Sequence, residues 1–137
     1  MNVLFYIPVT GEAGEKIHRV VEMAAPKART EVFRSIKDLS WRLCRPAESP
    51  AIAVLLAGDE EDLLSIVSIR QLLSEIPIIL ILPVRDHSTT AMGHSLSPRF
   101  LTYMDGNFEE VGAVLGKMLE YYKQREVMED WHNIWKS

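Results

Sequence analysis

Short unbroken apolar runs alternate along the chain with segments whose apolar residues recur every three or four positions. Val3-Leu4-Phe5-Tyr6-Ile7 is apolar, rich in β-formers and closed by Pro8, which predicts a strand buried on both faces. After the Thr10-Gly11 turn, Ile17, Val20, Val21 and Ala24 form the stripe of an amphipathic helix that Pro26 ends. Thr30 to Phe33 predicts an edge strand. Ser35 and Asp38 then cap a helix carrying Ile36, Leu39 and Leu43, stopped by Pro46. Ala51 to Ala57 is a continuous apolar strand broken by Gly58. Asp59 caps the next helix with Asp62 at N3, and the apolar residues from Leu63 to Ile76 extend that helix to about Ile76. Ile78 to Leu82, between Pro77 and Pro83, is a fourth strand. A weak helix from about His87 to Leu96 follows, diluted by Gly93 and by Ser88, Thr89 and Thr90. Phe100 to Met104 is a fifth strand and Asp105-Gly106 a turn. Asn107 with Glu110 caps a last helix whose stripe is Val111, Val114, Leu115, Met118 and Tyr122.

Five apolar strands alternating with five helices imply a parallel sheet covered on both faces. Right-handed crossovers make it a three-layer, doubly wound (βα)5 domain. The 137 residues fit one such domain, and neither a linker nor a repeat divides them. We place that domain at residues 1–124 and a helical extension of the last helix at 125–137. Net charge is −4, which disfavours nucleic acid as a partner because phosphate binding calls for a basic surplus. The single cysteine, Cys44, excludes an internal disulfide framework. No basic-then-apolar leader opens the sequence, and the longest apolar run, Ile76 to Val84, is far below the roughly 20 residues that cross a bilayer. The expectation is a cytoplasmic protein with no membrane partner.

The order and lengths of the elements resemble the receiver domain of bacterial response regulators over about residues 2 to 124. The best local phrases are Pro77-Ile78-Ile79-Leu80-Ile81-Leu82 and Phe100-Leu101-Thr102-Tyr103. The resemblance implies a flavodoxin-like sheet of order 2-1-3-4-5. It also implies phosphoryl transfer to an aspartate ending strand three. An acidic pair after strand one would hold magnesium there, and a hydroxyl ending strand four and a lysine ending strand five would bind the phosphoryl oxygens. In this sequence the acidic pair falls on Ile7 and Pro8, and the acceptor on Leu56 or Ala57. The hydroxyl position falls on Leu82, followed by Pro83, and the lysine on Tyr103, followed by Met104. Every functional position is lost, so the resemblance is to a degenerate receiver that is not phosphorylated in the usual way. Tyr103 is expected to close the top of the sheet with its hydroxyl near solvent or a backbone partner, and Phe100 to hold one rotamer.

Other polar groups read as structure. Asp59, Glu60, Glu61 and Asp62 have no lysine beside them and place acid against a helix dipole. The loop Thr10 to Lys16 lacks Walker spacing, and Glu12 and Glu15 repel phosphate, so no cofactor is assigned to it. His87 and His94 are seven apart without a firm third ligand, and no metal site is assigned. Cys44 sits between Arg42 and Arg45 with neither a base nor a resolving cysteine.

The end of the chain is more informative. Met128, Trp131 and Trp135 lie three and four apart on one helical face, and tryptophans are costly to leave in water. Two readings stand: the tail folds back on its own domain, or it packs on a second chain. The resemblance implies a dimer surface of helix four, strand five and helix five that here includes Phe100, Leu101, Val114, Met118, Tyr121 and Tyr122. Three functions remain in view. The first is a phosphorylation-independent receiver-like signalling or protein-interaction module, acting through a protein partner and as a homodimer. The others are a small-ligand or nucleotide-binding flavodoxin-like protein, and a small enzyme with an unrecognised site.

Overall fold

The computed structural model describes residues 2–8, 11–26, 28–45 and 51–136, with side-chain description ending at Lys123. The element order is β1 (Asn2–Tyr6), α1 (Glu12–Ala24), β2 (Arg29–Phe33), α2 (Ile36–Leu43), β3 (Ala51–Leu56), α3 (Glu60–Ser68), β4 (Ile78–Leu82), α4 (His87–His94), β5 (Phe100–Tyr103) and α5 (Phe108–Lys136). The strands form one parallel sheet in the order β2-β1-β3-β4-β5, the flavodoxin-like three-layer α/β fold. Pro8 and Pro26 stand just past β1 and α1 as expected, while Pro46 lies outside the described residues.

Alternation along the strands sends each side chain to one of two cores. Val3, Phe5, Ile7, Ile52, Val54, Leu56, Ile79 and Ile81 meet Ile17 and Val21 of α1 and Val111 and Leu115 of α5. Leu4, Tyr6, Ala53, Leu55, Ala57, Leu80 and Leu82 meet Leu39 of α2 and Leu63 and Ile66 of α3. The near-continuous apolar strands follow from this double burial, and β2, at the sheet edge, is the strand with no fully buried residue.

One expectation needs correction. The third helix does not reach Ile76: α3 ends at Ser68. From Ile69 to Ile76 the chain instead makes tighter turns, with Leu72 N–H to the Ile69 carbonyl at 2.9 Å and Leu73 N–H to the Arg70 carbonyl at 3.1 Å. Ser65 and Ser68 donate their hydroxyls to the carbonyls of Glu61 and Ser65, and such back-bonding competes with the helical ladder. The tighter path still buries Leu73, so the apolar pattern outlasts the helix. Gly93 does more than dilute α4. A Cβ there would stand 3.0 Å from Leu82 Cδ1 and 3.2 Å from both Leu80 Cδ2 and Leu101 Cδ1, so the missing side chain lets α4 lie flat on β4 and β5.

Among the described residues, no helix is long and apolar enough to cross a membrane.

Candidate functional site at the carboxyl end of the sheet

Parallel α/β sheets present their chemistry beyond the carboxyl ends of the strands. Here the ladder holds right up to that end. Ile7 N–H reaches the Phe33 carbonyl at 2.9 Å, Ala57 N–H the Ile81 carbonyl at 2.9 Å, and Met104 N–H the Leu82 carbonyl at 2.8 Å. Ile7 is 1% exposed, and Leu56, Ala57 and Leu82 are fully buried. Pro8 is half-buried, as is Tyr103. The positions that the receiver resemblance singles out thus form a hydrocarbon floor. Tyr103 supplies the one ionisable side chain among them.

Two polar clusters flank this floor. On the β4–β5 side, the Tyr103 hydroxyl lies 3.0 Å from the Thr90 hydroxyl of α4. That corrects the expectation of a solvent or backbone partner: α4 lies close enough for its own side chain to serve. The Arg85 guanidinium carbon sits 4.3 Å from the centre of the Tyr103 ring, a cation–π distance. The same guanidinium donates through Nε to both carboxylate oxygens of Asp105, at 3.0 and 3.1 Å, and through Nη2 at 3.0 Å to Oδ1. The Arg85 hydrogen bond pulls the Asp105 carboxyl below the usual aspartate value. Asp86 caps α4 by accepting from Thr89 N–H at 2.7 Å, and the Thr89 hydrogen bonds likewise lower its carboxyl. The sequence reading passed over Arg85, and it took Thr90 only as a helix diluent and Asp105 only as a turn residue. Their signal was positional: Arg85 and Asp105 stand just past neighbouring parallel strands, so the register brings them together.

On the β1–β3 side, Asp59 Oδ1 accepts from Asp62 N–H at 2.8 Å, while Asp62 Oδ2 accepts from Gly58 N–H at 3.0 Å. This reciprocal cap uses both carboxylates in closing the start of α3. Burial raises the Asp62 carboxyl, opposed by the Gly58 N–H bond. Tyr6, 3% exposed, ends β1 beside this cap, and its phenol is raised first by burial and then by the Asp62 and Asp59 charges.

The remaining sequence candidates fall apart in space. Asn107 caps α5 by accepting from Glu109 N–H at 2.9 Å, whereas Glu110 donates its N–H to the Asn107 carbonyl at 3.2 Å. His87 and His94 are exposed at opposite ends of α4, and among the described residues no three His, Cys, Asp or Glu side chains gather as a metal site. Cys44 is exposed at the end of α2. Gly11 opens α1 with φ +119°, a conformation that calls for glycine, and Glu12 and Glu15 occupy the helix's first turn.

Of the surface candidates, Phe100, Val114, Met118 and Tyr122 pack partly buried on the α1–α5 core, and Leu101 on the opposite core. Tyr121 is 57% exposed, with its ring edge-on to Tyr122 at 5.2 Å. The side chains of Met128, Trp131 and Trp135 lie outside the described residues, on the helical backbone of α5. No protein-family model matches the chain, and no curated protein matches it.

Proposed function

We propose that the chain is a receiver-like signalling module that acts through protein contacts, as a cytoplasmic homodimer with a protein partner, without being phosphorylated and without enzymatic activity. The observation that carries this reading is the hydrocarbon floor. Ile7, Leu56, Ala57 and Leu82 are at most 1% exposed where a phosphotransfer site would need carboxylates and a hydroxyl. The acids that follow β3, Asp59 and Asp62, have oxygens engaged in capping α3, and burial favours the uncharged form of Asp62. A buried apolar floor neither holds magnesium nor stabilises a phosphoryl group. What remains for the domain to offer is its surface.

Incubation with acetyl phosphate and magnesium, followed by intact-mass spectrometry, tests the reading. The expected result is an unchanged mass. A stoichiometric phosphoryl adduct, on Asp59 or elsewhere, overturns it.

A further inference from the structure

α5 is 29 residues long, about 43 Å at 1.5 Å per residue. Its faces are already divided within the domain. Val111 and Leu115 are buried, Met118 and Tyr122 pack on the core, and Gly112 lies against Val20 of α1. Ala113, Lys117 and Tyr121 are exposed on the remaining face. From Lys117, steps of four and three residues lead through Tyr121, Gln124, Met128, Trp131 and Trp135. That is the 3.5-residue repeat of a two-helix seam, and it starts on the exposed face of α5 and continues to the end of the helix. The aromatic residues expected at the interface thus share the register of Lys117 and Tyr121. They do not share that of the core-facing Met118 and Tyr122.

We infer that a second copy of the chain covers this seam, with two α5 helices paired antiparallel about a twofold axis level with Glu126. This inference rests on the homodimer reading above and names its surface. In that register Lys117 stands opposite Trp135 of the second copy, Tyr121 opposite its Trp131, and Gln124 opposite its Met128. Every layer then sets one of the two heptad classes against the other, as an antiparallel seam requires. Lys117 then faces the register position of a tryptophan and not that of a second lysine.

The alternatives create conflicts. Parallel pairing would oppose Lys117 to Lys117, two like charges inside an apolar seam. Sliding the antiparallel pair by one heptad toward the domain would put Trp135 opposite Glu110. It would also put Trp131 opposite Val114, which already packs on its own core.

Single-cysteine chains read the register directly. With Cys44→Ser as the parent, Gln124→Cys and Met128→Cys chains of distinguishable tag mass are oxidised mildly, alone and mixed. A disulfide needs Cα atoms within about 7 Å. The expected result is a mixed-chain disulfide dimer and no cross-link in either chain alone. A Gln124→Cys self-dimer means a parallel seam and overturns the inference. No cross-link at all, with the parent chain dimeric by sedimentation equilibrium, overturns this antiparallel register while the homodimer stands. A monomeric parent at tens of micromolar overturns the homodimer itself.

Discussion

The hydroxyls of Tyr103 and Thr90 lie 3.0 Å apart, joining the last strand to the helix that precedes it. Leu82, Tyr103's neighbour in the ladder, is buried beneath that helix, so the bond fastens α4 over an apolar floor. Tyr103→Phe removes the bond and keeps the ring under Arg85. Its expected cost is about 1 kcal/mol, the net worth of an ordinary hydrogen bond. Thr90→Val should cost a similar amount. Because each change removes the same bond, the double variant should be less destabilised than the sum, with a coupling of about 0.5–1.5 kcal/mol by urea denaturation. Strict additivity would mean that the two hydroxyls do not bond.

Arg85 and Asp105 predict an acid-dependent contribution with a definite sign. The Arg85 hydrogen bond lowers the folded-state Asp105 carboxyl below its unfolded value of 3.8. The folded protein therefore holds that proton less readily than the unfolded chain. The contribution is present above pH 3.8 and is lost as pH falls through the depressed value. Thermal midpoints of the wild type and Asp105→Asn, followed from neutral pH downward, should converge in that acid range. Some acid loss should remain in Asp105→Asn, because Asp86 is lowered by Thr89 and titrates in the same direction. A gap that widens on acidification would contradict the assignment.

Gly112 and Gly116 are one helical turn apart on α5 and predict opposite outcomes. A Cβ on Gly112 would meet Val20 Cγ1 at 2.9 Å, whereas a Cβ on Gly116 meets nothing within 4 Å. Gly116→Ala should stabilise by up to about 1 kcal/mol through helix propensity. Gly112→Ala gains the same propensity but crowds α1, and overpacking costs about 1–3 kcal/mol, so it should come out destabilised. Chemical denaturation of the two variants side by side checks the sign of each.

Much of this architecture was legible because each strand is buried on both faces. Val3 to Ile7, Ala51 to Ala57 and Ile78 to Leu82 stand out as apolar runs, and prolines or glycines mark most of their ends. The caps at Ser35, Asp59 and Asn107 were legible too, since a short oxygen-bearing side chain just ahead of an amphipathic stripe acts locally. Long-range geometry was not legible. Hydropathy alone does not distinguish the α-helix of Leu63 and Ile66 from the tighter turns that carry Leu73 to the same core. Nor does a lone sequence show that Arg85 and Asp105 meet across 20 residues, because only the β4–β5 register brings them together. At the strand ends the apolar identities of Ile7, Leu56 and Leu82 were plain from the sequence, and the structure adds their burial.

Asp59 serves two neighbours, and its two effects separate by substitution. As a cap it accepts from Asp62 N–H at 2.8 Å, and as a charge it helps raise the phenol of Tyr6. Asp59→Ala loses the cap and should cost about 1 kcal/mol. Asp59→Asn keeps a capping oxygen and should leave stability close to wild type, since asparagine caps about as well as aspartate. Both variants remove the charge, so both should bring Tyr6 ionisation closer to its ordinary value of 10.0, with burial still holding it above. A phenol raised in the folded state keeps its proton longer than in the unfolded chain. Its contribution to stability is thus complete below pH 10.0 and is lost as pH climbs through the raised value. Tyrosinate absorbance during alkaline titration, with Tyr6→Phe used to isolate one of the four tyrosines, reads the charge effect. Urea midpoints at neutral pH read the cap. If Asp59→Asn destabilises as much as Asp59→Ala, the carboxylate charge matters more to α3 than its hydrogen bond, and the account of this helix start as a cap fails.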